Sequence, residues 1–120
     1  MKKKVLIVED EPLIGMMLAE NVRDLGCDVS RIVTNGEAAM LAVKQERPDA
    51  ILMDINIEGP LDGIETAKAI MVGQEIPILF FTGYQDPGLV ERASSVSPVG
   101  IVDKLDTTEA IHEALTSLLR

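Results

Sequence analysis

The chain has 120 residues, 47% of them hydrophobic, with 20 acidic against 11 basic side chains and a net charge of −9. That length suits one domain that buries its own core without disulfides or a structural metal, and it is too short for two. The acidic balance repels phosphates, one tyrosine and two phenylalanines build no stacking platform for bases, and the single Cys27 rules out an internal disulfide or a cysteine-rich metal site.

Short β-branched apolar runs alternate with longer amphipathic stretches. Residues 5–8 predict a first strand. The basic-then-apolar start around it is too short for a signal-peptide core, and no apolar run approaches the roughly 18 residues of a membrane span, so a cytoplasmic location is expected. A helix over about 12–25 follows, with Pro12 in its first turn, Gly26 as its stop, and an apolar face of Ile14, Met17, Leu18, Val22 and Leu25. Residues 29–33 form a second strand, interrupted by Ser30-Arg31 and therefore expected at an edge. Asn35 caps a helix over about 36–45, which ends before Arg47-Pro48. A third strand covers 50–53 and a third helix about 63–72. Residues 78–81 make the fourth strand. A short helix begins at Asp86-Pro87 and fades at Ser94-Ser95. The fifth strand is 99–102. The last helix starts at Asp106, with Glu109 placed for a capping box and an apolar face of Ile111, Ala114, Leu115, Leu118 and Leu119.

Nearly continuous apolar strands indicate burial on both faces, as in parallel sheets. Five strands and five helices in strict alternation, joined by right-handed crossovers, predict a doubly wound α/β sandwich. Its site lies outside the carboxyl ends of the strands. Those ends carry Glu9-Asp10-Glu11, Asp54, Thr82 and Lys104. Converging carboxylates repel unless a cation intervenes, and Mg²⁺ suits oxygen ligands and bridges to phosphate. Thr82 offers a hydroxyl and Lys104 a point charge for an anion. An aspartate can attack phosphorus to form an aspartyl-phosphate, a transfer that needs positioning and charge neutralisation above all.

Glu9-Asp10, Asp54 in Ile-Leu-Met-Asp-Ile-Asn-Ile, Asp62-Gly63, Thr82 in Phe-Phe-Thr-Gly and Lys104 in Val-Asp-Lys occur in that order. With them the sequence resembles the CheY-like receiver domain of two-component response regulators over essentially its whole length. The resemblance implies one receiver domain over residues 1–120, with a flavodoxin-like sheet in the order 2-1-3-4-5. It implies Asp54 as phosphoacceptor, Mg²⁺ held by Glu9, Asp10, Asp54 and the backbone carbonyl of Asn56, and phosphoryl oxygens bound by Thr82 and Lys104. It implies a sensor histidine kinase or phosphotransfer protein as donor. It also implies a helix 4–strand 5–helix 5 face for a homodimer or an output domain, without direct nucleic-acid or membrane binding. Such a domain is a switch that catalyses only its own phosphorylation and dephosphorylation. The end at Arg120 fits a stand-alone regulator and the receiver of a longer protein equally.

Three departures stand out. Leu105 replaces the family's usual proline, which predicts a trans bond and a rearranged loop there. Ile101 replaces the usual aromatic of strand five, leaving Tyr84 as a candidate gate. The stretch from Asn56 to Gly63 is about one residue longer than the common form. Residues 77–84 also resemble a subgroup of single-domain receivers that lack the proline. Plainer readings apply elsewhere: Glu11 as a first-turn acid, Asp103 as a solvated loop acid, residues 2–4 as a solvated lead-in, Cys27 as a small half-buried hydrophobe, His112 as a helix-surface residue, and the methionines as core fillers. Competing functions are a degenerate, phosphorylation-independent docking module, a small aspartyl-phosphate phosphatase and a nucleotide or flavin binder. The phosphatase reading lacks its Asp-x-Asp motif on the first strand. The nucleotide reading lacks a glycine-rich loop, and Glu9-Asp10-Glu11 would repel phosphate.

Overall fold

The structure, a computed structural model, describes residues 2–83, 87–104 and 108–119. Its elements are β1 (Lys4–Val8), α1 (Pro12–Asp24), β2 (Asp28–Val33), α2 (Gly36–Glu46), β3 (Ala50–Asp54), α3 (Gly63–Gly73), β4 (Ile78–Thr82), α4 (Pro87–Ser94), β5 (Gly100–Asp103) and α5 (Thr108–Leu118). The strands pair in parallel in the order β2-β1-β3-β4-β5, the expected topology with β2 at an edge. The polar interruption of β2 is a register shift: Val5 pairs with Val29 but Leu6 with Arg31, and Ser30 turns its hydroxyl to the Val5 carbonyl, 3.4 Å away.

Period-two alternation divides the apolar side chains between two cores. On one face Leu6, Val8, Ile51, Met53, Ile78 and Phe80 pack under α2, α3 and α4. On the other Val5, Ile7, Leu52, Leu79, Phe81 and Val102 pack under α1 and α5. Two apolar layers covering both faces explain why the strands read as unbroken hydrophobic runs.

Some local readings are corrected. The buried stripe of α1 is Gly15, Leu18, Ala19, Asn21 and Val22, while Met17 of the expected face is 39% exposed and Leu13 and Met16 more so. The first turns are apolar all round, so periodicity alone does not select the buried side. The small residues do: a Cβ at Gly15 would lie 3.3 Å from Ile32 Cγ2, so the helix presses its glycine side onto β2. Met16 and Met17 are thus surface residues and not core fillers. Lys3 and Lys4 are more than a lead-in. Their ammonium groups donate to the carbonyls of Leu119 (2.5 Å) and Glu46 (2.7 Å), cations placed at the negative ends of α5 and α2. His112 is half-buried, with Nε2 2.9 Å from Asn21 Oδ1, because α1 and α5 lie side by side on one face of the sheet. Asp103 closes β5 opposite Thr82 and is half-buried. Cys27 is half-buried against the α1–α5 core, as expected. Tyr84, the cap at Asp86, the bond to Leu105 and the capping position Asp106 lie outside the described residues.

Candidate functional site

Asp54 is the last residue of β3, beside Phe81 of β4, and Thr82 ends β4 one step further out. β1 ends one residue before Glu9, whose N–H donates to the Val33 carbonyl at 2.9 Å and so continues the ladder toward β2. Lys104 follows β5, and its N–H donates to the Thr82 carbonyl at 2.9 Å. Parallel strands that stop at one level therefore bring together four residues far apart in sequence.

The loop after β3 is held by backbone fit. Gly63 donates its N–H to the Ile55 carbonyl at 2.8 Å. A Cβ on Gly63 would collide with the Asp54 carbonyl oxygen and lie 2.8 Å from Ile55 Cα, so only glycine allows α3 to start there. Asp62 caps α3: its Oδ1 accepts from Glu65 N–H at 2.8 Å, and Glu65 Oε1 accepts from Asp62 N–H at 3.1 Å, a reciprocal capping box. Asn35 caps α2 by a single bond, its Oδ1 accepting from Ala38 N–H at 2.8 Å. Asn35 also bridges to Glu58, joining the loop after β3 to the loop after β2.

At the centre lies one ammonium among buried carboxylates. Lys104 Nζ is 3.0 Å from Asp54 Oδ2, and 2.9 and 3.2 Å from the two Glu9 oxygens. The Glu9 and Asp54 side chains are 0% and 1% exposed and that of Lys104 only 11%. Asp54 Oδ1 accepts from the Asn56 N–H at 3.0 Å, and Glu9 Oε2 accepts from the Glu11 N–H at 3.2 Å. Glu9 Oε1 is buried without an aligned hydrogen bond, although the ammonium lies within ion-pair distance. Asp10 is half-buried, and oxygens of Glu9, Asp10 and Asp54 lie within 4.8 Å of one another.

One lysine does not neutralise these carboxylates. Burial above all, and then the hydrogen bond and charge of Asp54, push the Glu9 carboxyl up to about 7, against the opposing pull of Lys104. Burial drags the Lys104 ammonium down, but Glu9 and Asp54 outweigh it and hold the group above its ordinary value. A buried, unaligned oxygen in an all-oxygen donor set fits a small hard divalent cation such as Mg²⁺. Asp54 itself is a carboxylate oriented on both oxygens, at the open end of a sheet.

The strand-end residues expected from sequence, Glu9, Asp10, Asp54 and Lys104, thus come together, with fully buried Thr82 beside Asp54 and Lys104 in the strand ladder. Asn56 is exposed, with its N–H turned to Asp54. Arg92 of α4 escaped the sequence reading. It reaches Asp62 Oδ2 at 2.8 Å, and no local motif distinguishes it from any other helix-surface arginine.

The profile of the family described as response regulator receiver domain matches residues 5–116. The transcriptional regulatory protein PdtaR of Mycobacterium tuberculosis is 33% identical over 114 residues, covering 89% of this chain and 55% of that protein. The positive alginate biosynthesis regulatory protein of Pseudomonas aeruginosa is 36% identical over 120 residues, covering 97% and 47%. The chain spans about half the length of these relatives. Among solved structures, the signal receiver domain of modulated diguanylate cyclase from Desulfovibrio desulfuricans G20 superposes with a TM-score of 0.89 at 36% identity, covering 99% of this chain and 94% of that one. The response regulator PhyR receiver domain of Erythrobacter litoralis gives 0.86 at 30% identity, covering 98% and 90%.

Proposed function

Because the chain belongs to the response regulator receiver domain family and has its CheY-like, flavodoxin-like fold, we propose that it is a phosphorylation-controlled signalling switch whose phosphoacceptor is Asp54. The observation that carries this reading is the buried Asp54 carboxylate, gripped by Lys104 within the Glu9–Asp10 cluster.

An Asp54 oxygen attacks the phosphorus of a phosphohistidine on a sensor histidine kinase or phosphotransfer protein. The O–P bond forms as the P–N bond breaks, and the imidazole leaves with the electron pair. The Asn56 N–H and the Lys104 ammonium restrict the carboxylate beforehand, which is most of what this loose transfer requires. Glu9, Asp10, Asp54 and the Asn56 backbone carbonyl would hold Mg²⁺, which when bound supplies positive charge to the phosphoryl oxygens. After transfer Lys104 leaves Glu9 and Asp54 for a phosphoryl oxygen, and the Thr82 hydroxyl donates to another. The rearranged charge biases the α4–β5–α5 face, where a second copy or an output domain reads it. This chain is then a switch and not an enzyme acting on other substrates, residues 1–120 form one receiver domain, and its place is the cytoplasm.

Intact mass after incubation with acetyl phosphate and Mg²⁺ tests the reading. One added phosphoryl group on the wild type, absent from Asp54→Asn and abolished by chelation, is the expected result. No adduct together with no Mg²⁺ binding by titration would overturn it in favour of a phosphorylation-independent docking module.

A further inference from the structure

Asp62 serves two helices at once. Its Oδ1 caps α3 through Glu65 N–H, and its Oδ2 pairs with the Arg92 guanidinium of α4 at 2.8 Å. Glu65 closes the capping box and adds a second negative charge near Arg92. The Asp62 carbonyl accepts from both the N–H (3.0 Å) and the hydroxyl (2.8 Å) of Thr66. Asp62 therefore cannot follow a shift of α4 without straining the start of α3. The next residue, Gly63, is locked to Ile55, the neighbour of Asp54, by a 2.8 Å backbone hydrogen bond and by contact too close for any Cβ. A short, stiff path thus runs from Asp54 through Ile55, Gly63 and Asp62 to Arg92.

The inner side of α4 is different in kind. Leu89 and Ala93 of α4, with Val96 just beyond its end, pack against the same core as Ile101 of β5. These side chains are aliphatic. Such packing favours burial but is non-directional, so it leaves the exact seat of α4 weakly specified. Among the described residues the Asp62–Arg92 ion pair adds a directional contact.

We propose that the Asp62–Arg92 ion pair is a tether that carries the state of the Asp54 site to α4, with Arg92 acting as a positioning residue through Asp62. The coupling half of this proposal rests on the reading of Asp54 as phosphoacceptor, whereas the tether itself does not. Arg92 and Asp62 have side chains 52% and 29% exposed, so the pair is worth what surface pairs are worth, and its loss changes an opening equilibrium by about two- to fivefold.

The test is hydrogen exchange of the α4 amides in the full chain, comparing wild type, Arg92→Met, Arg92→Lys, Asp62→Asn and the Arg92→Met/Asp62→Asn double variant. Asp62→Asn keeps an oxygen to cap α3 while losing the charge. Each is measured first with chelator and then with Mg²⁺ and beryllofluoride as a tetrahedral phosphoryl mimic, with ¹⁹F signals reporting occupancy. Without ligand, α4 should exchange about two- to fivefold faster in Arg92→Met and Asp62→Asn, no faster still in the double variant, and close to wild type in Arg92→Lys. With ligand, Arg92→Met should bind as the wild type does but lose at least half of the wild-type change in α4. Unchanged exchange in ligand-free Arg92→Met, or additive effects in the double variant, would overturn the tether. A full α4 response in loaded Arg92→Met would overturn the coupling. A wild type that binds no beryllofluoride would overturn the Asp54 reading and the coupling together, while the ligand-free comparison still decides the tether.

Discussion

Replacing Glu9 by glutamine should stabilise the metal-free protein above neutrality and do so progressively less as the pH falls. In the fold the Glu9 carboxyl ionises at about 7, against an ordinary value of 4.5. The folded state therefore holds a proton that the unfolded chain has already released, and between those two values stability falls as pH rises. At about 1.4 kcal/mol per pH unit, the loss from this one group reaches roughly 3 kcal/mol by about pH 8. The stabilising contribution of the neutral carboxyl is fully present below about 4.5 and is gone once the pH has passed through 7. A glutamine side chain keeps the shape and polarity without a titration. The attraction of Lys104 for the ionised carboxylate is already contained in the value of about 7 and is not counted again. The assay is urea unfolding of wild type and Glu9→Gln in chelator at about pH 5 and about pH 8. The stability difference should move toward the variant by roughly 3 kcal/mol between the two. A difference constant within about 0.5 kcal/mol would show that Glu9 is already ionised and compensated in the fold, and would refute the electrostatic account of the site.

Two further substitutions probe the same region. Lys104→Met leaves Glu9 and Asp54 buried without their cation. It should cost about 2 kcal/mol in metal-free unfolding at about pH 8, and less at about pH 5, where Glu9 takes up a proton. Gly63→Ala places a methyl against the Asp54 and Ile55 backbone, which has no side-chain freedom to yield. It should cost about 3 kcal/mol or more, whereas Gly73→Ala, with nothing within 4 Å, should be neutral or stabilising by up to about 1 kcal/mol. Equal effects from the two glycine substitutions in thermal unfolding would contradict the close approach seen at residue 63.

Glu58, Asp62 and Gly63 connect the loop after β3 to the start of α2, to α4 and to Ile55 just past β3, respectively. This segment is therefore held by contacts on both sides.

The parallel α/β architecture with β2 at an edge, the two-sided core and the convergence of Glu9, Asp10, Asp54 and Lys104 were legible in the linear sequence, whereas the full sheet order came from the family resemblance. The reason is that strands buried on both faces need unbroken apolar runs, and that parallel strands joined by right-handed crossovers end on one side. Any polar residue just after such a run is delivered to that edge. The helix cap at Asn35 was equally local, since a cap is decided within four residues. What sequence could not supply were the contacts made between elements. Which side of an all-apolar first turn α1 buries depends on Gly15 meeting Ile32 of β2. The roles of Lys3 and Lys4 depend on where α5 and α2 end in space, and His112 finds Asn21 only because α1 and α5 share a face. Arg92 meets Asp62 across thirty positions of chain. Periodicity and turn chemistry act over a few residues, so they determine the elements and their order. The seating of one element on another is chosen by side-chain size and charge at distant positions, and that choice exists only once the chain has folded.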